Sequence, residues 1–130
     1  MTKIRRLRLR KLPSAFENFR KTYPEMFRAY EQLGKACQDQ GPLDTKTRAL
    51  TKLAISIGAR LEGATHSHTR RALEAGATPN EIRHVIFLAL TTIGFPSMMA
   101  ALTWVDEVLN KPGGNARAVA TTSKGPIKRK

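Results

Sequence analysis

Between residues 13 and 110 apolar positions recur at spacings of three and four, the period of helices that bury one face. Ser14 with Glu17 forms a capping box, and Phe16 and Phe19 share a face of a first short helix. Pro24 suits the first position of a second helix, whose stripe is Met26, Phe27, Tyr30, Leu33 and Cys37. Gly41-Pro42 stops it, and Asp44 caps a third helix striped by Leu50, Leu53, Ala54 and Ile57. A fourth runs from about Glu62 to Ala75, with Ala64, His68 and Ala72 on one face and Gly76 as its left-handed terminator. Thr78-Pro79-Asn80-Glu81 joins an N-cap, a first-turn proline and a capping-box glutamate, and so opens a fifth. That helix carries Ile82, Val85, Ile86, Ala89, Leu90 and Ile93, and Phe87 and Leu88 add apolar bulk on its other faces. It is therefore expected to be nearly surrounded. Beyond Gly94-Phe95-Pro96 a sixth helix carries Met98, Ala101, Leu102, Val105 and Leu109, and Lys111-Pro112-Gly113-Gly114 ends it. No strand-like alternation competes, so the predicted fold is all-α with about six helices.

Charge changes this picture only at the ends. The 130 residues hold 23 Lys+Arg against 10 Asp+Glu, a formal net charge of +13. Residues 1–12 and 111–130 carry basic residues and no acid, whereas the stretch 13–110 is almost neutral. The predicted organisation is a basic N-terminal arm (1–12), a helical domain (13–110) and a basic disordered tail (111–130). Non-specific contact with a polyanion is expected of the two ends, through charge alone. A single cysteine, Cys37, excludes an intrachain disulfide and a cysteine-only metal site. The apolar stripe places Cys37 as a small buried hydrophobe. Val85 to Val105 holds no charged residue, but Gly94-Phe95-Pro96 interrupts it, so two packed helices are predicted rather than a membrane span. The N-terminus has basic residues without an apolar segment behind them, and the expected location is cytoplasmic.

The residues able to carry chemistry gather in Arg60-Leu61-Glu62-Gly63-Ala64-Thr65-His66-Ser67-His68. Glu62 and His66, at i and i+4, share a helix face, whereas His66 and His68 diverge and cannot ligate one metal from a regular helix. No HExxH or Cys/His spacing supplies further ligands, so neither a metal nor a cofactor is expected. His68 lies on the small-residue face, where an imidazole serves either as an acid–base group beside a ligand or as a core histidine bonded to a carbonyl. Glu62 either transfers a proton or orients His66, or it only complements the helix dipole. His84 is expected at the surface.

The run from His68 through Gly76, followed by Thr78-Pro79-Asn80-Glu81-Ile82, Gly94-Phe95-Pro96 and Ala100-Ala101, resembles the carboxymuconolactone decarboxylase family. That family includes the alkyl hydroperoxidase D-like proteins. The resemblance covers residues 44 to 109 and implies an alkyl hydroperoxidase D-like helical domain that forms homotrimers or homohexamers. The peroxidase branch uses a Cys-x-x-Cys pair, a histidine four residues on and an upstream relay glutamate. The matching positions here are Leu61, Ala64, His68 and Ala49, so only the histidine is present. A cysteine-based peroxidase cycle needs an attacking and a resolving thiol, and is not expected. The family's decarboxylase branch works without the cysteine pair and keeps a histidine at the start of the equivalent helix, so the resemblance implies a lyase- or isomerase-like enzyme for a small organic acid or lactone. Its candidate catalytic residues are His68, Glu62 and His66, and Arg60, Arg48 and Arg70 are candidates for holding a carboxylate. The alternatives are a non-catalytic oligomeric binding protein of the same fold, and a nucleic-acid or anionic-surface binder acting through the basic ends.

Overall fold

A computed structural model describes residues 15–111. The capping box at Ser14, the basic arm and the tail beyond residue 111 lie outside the described residues. Six helices are found among those described: α1 (residues 15–22), α2 (Pro24–Asp39), α3 (Thr45–Gly58), α4 (Glu62–Glu74), α5 (Pro79–Ile93) and α6 (Phe95–Leu109). They fall into two compact units, parting between Pro42 and Leu43.

The first unit holds α1 and α2. Pro24 is at the start of α2, as its fixed φ and missing N–H favour. Phe27 meets Phe16 edge-on at 5.5 Å between centroids and Phe19 at 6.4 Å, and Phe19 lies 5.7 Å from Tyr23. Such pairs add to area burial through their ring quadrupoles. No residue of α2 is buried, and Met26, Tyr30 and Leu33 are exposed. Cys37 is exposed as well, which corrects the expectation of a buried hydrophobe. Helical periodicity identified the stripe, but it does not say whether anything covers it.

The second unit holds α3 to α6 as a ring. Helix α4 packs on α3 and α6, and α5 packs on α6 and α3. Leu53, Ile57, Ala72, Ile82, Ile86, Ala101, Val105 and Leu109 fill its core, none more than 3% exposed. Each large aliphatic group so buried contributes about 1.5–3 kcal/mol. The helix ends follow their sequence signals. Asp44 accepts from the Thr47 backbone at 2.8 Å. Thr78 and Glu81 form both bonds of the capping box, at 3.1 and 3.0 Å. Lys46 on α3 pairs with Glu81 on α5 at 2.9 Å, and Arg83 on α5 with Asp106 on α6 at 3.2 Å. Among the described residues no helix is long and apolar enough to cross a membrane.

Helix α5 departs from its predicted surroundings. Only Ile82, Ile86 and Ala89 are buried, and Phe87, Leu88, Leu90 and Ile93 are exposed. Two neighbours of the four-helix ring cover one side of it, which leaves the rest of its apolar surface open.

Candidate functional site

Helix α4 is placed by two turns of the same design. At the end of α3 the N–H of Arg60 donates to Ile57 O and that of Leu61 to Ser56 O, both at 3.0 Å. At the end of α4 the N–H of Gly76 donates to Leu73 O at 3.1 Å and that of Ala77 to Ala72 O at 2.9 Å. Both are Schellman endings, which turn the chain through one left-handed residue. Gly76 takes that residue's φ of +92° freely, whereas Arg60 takes +58° with a full side chain. The Arg60 guanidinium donates to Oγ of buried Ser97, in the first turn of α6. The strained turn and the start of α6 are thereby tied together.

The buried face of α4 is Thr65, Thr69 and Ala72. The sequence points to Ala64, His68 and Ala72, and the observed stripe is rotated from that by about one residue. Two polar residues can be buried here because their hydroxyls are satisfied close by. Thr69 Oγ1 donates to Thr65 O at 2.7 Å, and Ser56 Oγ lies 3.2 Å from Thr65 Oγ1 while donating to Leu53 O at 2.7 Å. Pairing of this kind removes the penalty of burying a hydroxyl.

The rotation sends the two histidines to opposite flanks. His66 turns toward α6, where its Nε2 is 2.8 Å from Glu107 Oε2. The His66 side chain retains 18% of its exposure and that of Glu107 retains 51%. Glu62, one turn before His66, brings a carboxylate oxygen to the same place. The expected Glu62–His66 face therefore exists, with Glu107 added. Sequence reading missed Glu107 because it lies 41 residues from His66.

His68 turns toward α3 and is half-buried. Burial, and then the charges of Lys52 and Arg71, lower its pKa below the ordinary 6.5. An imidazole in such a setting is neutral at neutral pH. The cations that act on it are not those singled out from the sequence. Arg48 donates to Leu43 O at 2.9 Å and to Thr45 Oγ1 at 3.4 Å, which serves the start of α3. Arg60 is engaged by Ser97, and Arg70 is exposed. His84 is at the surface, as expected. Ala49, the position matching a relay glutamate, packs against the core and carries no acid.

A groove of about 350 Å³ runs between α3 and α5. Leu50, Ala54, Ile57, Val85, Leu88 and Ile93 line it, and none of the six site candidates does. The groove and the six candidate residues therefore occupy different parts of the ring.

The Carboxymuconolactone decarboxylase family profile matches residues 24–107. The crystal structure of apo-lpg0406, a carboxymuconolactone decarboxylase family protein from Legionella pneumophila, superposes with a TM-score of 0.66 at 25% identity. It covers 78% of this chain and 90% of that one. An uncharacterised protein of Methanocaldococcus jannaschii is 30% identical over 92 residues, 71% of this chain and 86% of its own length. An uncharacterised protein of Haemophilus influenzae is 38% identical over 58 residues, 45% of this chain. Those residues are 51% of the Haemophilus protein, so the match spans about half of that relative's length. With the profile spanning five of the six helices, and an all-α neighbour of the same family, this chain belongs to the carboxymuconolactone decarboxylase family.

Proposed function

We propose that the protein is an acid–base enzyme for a small organic acid or lactone, with His68 as the proton-transfer group. The observation that carries this reading is the His68 environment: a half-buried imidazole whose pKa is lowered by burial and then by the charges of Lys52 and Arg71. Neutral imidazole is the form that accepts a proton, and Lys52 and Arg71 offer the field that draws a carboxylate to it. Decarboxylation or isomerisation needs both services at one place: an anchor for the acid and a base or acid at the reacting carbon. Glu62 and His66 sit on the other flank, and in this reading they do not share the His68 proton. The single cysteine, Cys37, has no second thiol to resolve it, so the reaction is thiol-independent.

A panel of lactones and keto acids assayed with the wild type, His68→Gln and Cys37→Ser tests the proposal. Turnover in the wild type and in Cys37→Ser, with loss in His68→Gln, is the expected pattern. Equal rates in the wild type and His68→Gln would remove His68 from the reaction.

The exposed Phe87, Leu88, Leu90, Ile93, Phe95 and Met99 favour self-association. We propose a homotrimer or homohexamer that covers this surface, to be weighed by sedimentation of the wild type and Leu88→Glu. A monomeric wild type would rule it out.

A further inference from the structure

We propose that Glu62, His66 and Glu107 bind a divalent first-row cation of the zinc class. This goes beyond the His68 chemistry and does not depend on it, since the three residues lie on the α6 flank of α4. One ligand atom from each of the three lies within 4.8 Å of the other two, and His66 Nε2 and Glu107 Oε2 are 2.8 Å apart. A zinc-class cation bound at ordinary N and O distances holds its ligand atoms about 3–3.5 Å apart. The observed cluster brackets that separation. His66–Glu107 opens slightly and the glutamates rotate inward, which both can do because they are exposed.

The donor set fits the ion. One neutral imidazole nitrogen and two carboxylates provide mixed N and O ligation and two negative charges for a doubly charged cation. Glu62 and His66, one helical turn apart, form a preset pair on α4, and Glu107 closes the third side from α6. Both helices are held in the second unit by the buried core, so the two ligating helices do not have to be assembled by the ion. Three protein ligands leave at least one coordination position for water or a substrate oxygen, the pattern of open rather than purely structural zinc sites. The His66–Glu107 hydrogen bond is what such a pair does without an ion. The position of Glu62 beside it is what a hydrogen bond alone does not need.

Tag-free full-length protein titrated with zinc by calorimetry, and with cobalt(II) by visible absorption, tests the site near neutral pH. One equivalent of cation bound per chain is expected, with cobalt bands of N/O ligation. Glu62→Gln, His66→Gln and Glu107→Gln should each weaken binding by at least about tenfold. His84→Gln, an exposed histidine outside the cluster, should bind as the wild type does. Circular dichroism establishes that each variant is folded before it is counted. No saturable binding by the folded wild type overturns the proposal. So does wild-type affinity in any of the three cluster variants, or a loss in His84→Gln equal to that in His66→Gln.

Discussion

His66 and His68 are two residues apart on one helix, and they live in opposite surroundings. His66 meets a carboxylate 2.8 Å away, with a second close by. His68 meets cations and partial burial. The rotation of about 100° per residue in an α-helix is enough to produce this contrast. A cluster of polar residues in a sequence is therefore not one site. It divides between two flanks, each facing a different helix: α6 on one side, α3 on the other.

Exchanging the surroundings should break the contrast most severely on the His68 side. His68→Gln is expected to lower kcat/KM on an accepted acid or lactone by about 10²–10⁴-fold, the usual contribution of a general acid or base. Steady-state kinetics read this directly. His66→Gln should leave far more activity, and equal losses would mean that the two histidines serve one site after all.

Next in size is charge reversal at Lys52. Lys52→Glu removes a cation that lowers the His68 pKa and puts an anion in its place, so the imidazole titrates at higher pH. NMR titration of the His68 ring protons gives the direction, and KM for an anionic substrate should rise. A pKa that stays where it is would show that burial alone sets it.

Stability against pH sharpens the comparison further. The folded pKa of His68 lies below its unfolded value of 6.5, so the unfolded chain binds the extra proton first as pH falls. Its contribution is fully present above pH 6.5 and is lost progressively as pH drops toward the folded value. Asp44 and Glu81 act in a separate, more acidic window. Asp44 is lowered from 3.8 by hydrogen bonds from the Thr47 backbone and side chain, and Glu81 from 4.5 chiefly by the Thr78 backbone N–H and then by Lys46. Their stabilisation is present above those values and disappears below them. Thermal melts should show both declines in the wild type, and His68→Gln should lack the upper one.

The smallest effect is expected on the opposite flank. In metal-free protein, Glu107→Gln leaves His66 a neutral partner, with the position-107 side chain half exposed, and should cost no more than about 1 kcal/mol. Denaturant unfolding with added chelator measures it. A much larger loss would mean that Glu107 supports α6 itself.

Most of the fold could be read from local signals. Asp44, Thr78-Pro79 and Gly76 punctuate helices through bonds that span only a few residues, and those bonds appear as the sequence implies. The alternation of apolar residues located α3, α5 and α6 for the same reason. The buried face of α4 was misread because its key residues are threonines, whose hydroxyls find partners on α4 itself and on Ser56. Glu107 and Lys52 come from other helices, so spacing along α4 could not call them up. Exposure was the other blind spot. Cys37, Leu90 and Met26 lie on good helical stripes, and a stripe states only that a face is apolar, not that this chain covers it.

The contrast between the ends of α3 and α4 bears on how this protein would respond to selection. Placing a residue with a Cβ in the left-handed region costs about 1–2 kcal/mol. A screen for heat resistance alone would thus be drawn to glycine at position 60, the solution α4 already uses at Gly76. That change would also cut the tether from Arg60 to Ser97 and free the turn that leads into the two-histidine helix. A lineage driven only by temperature and one driven only by turnover would be expected to part company at this single codon.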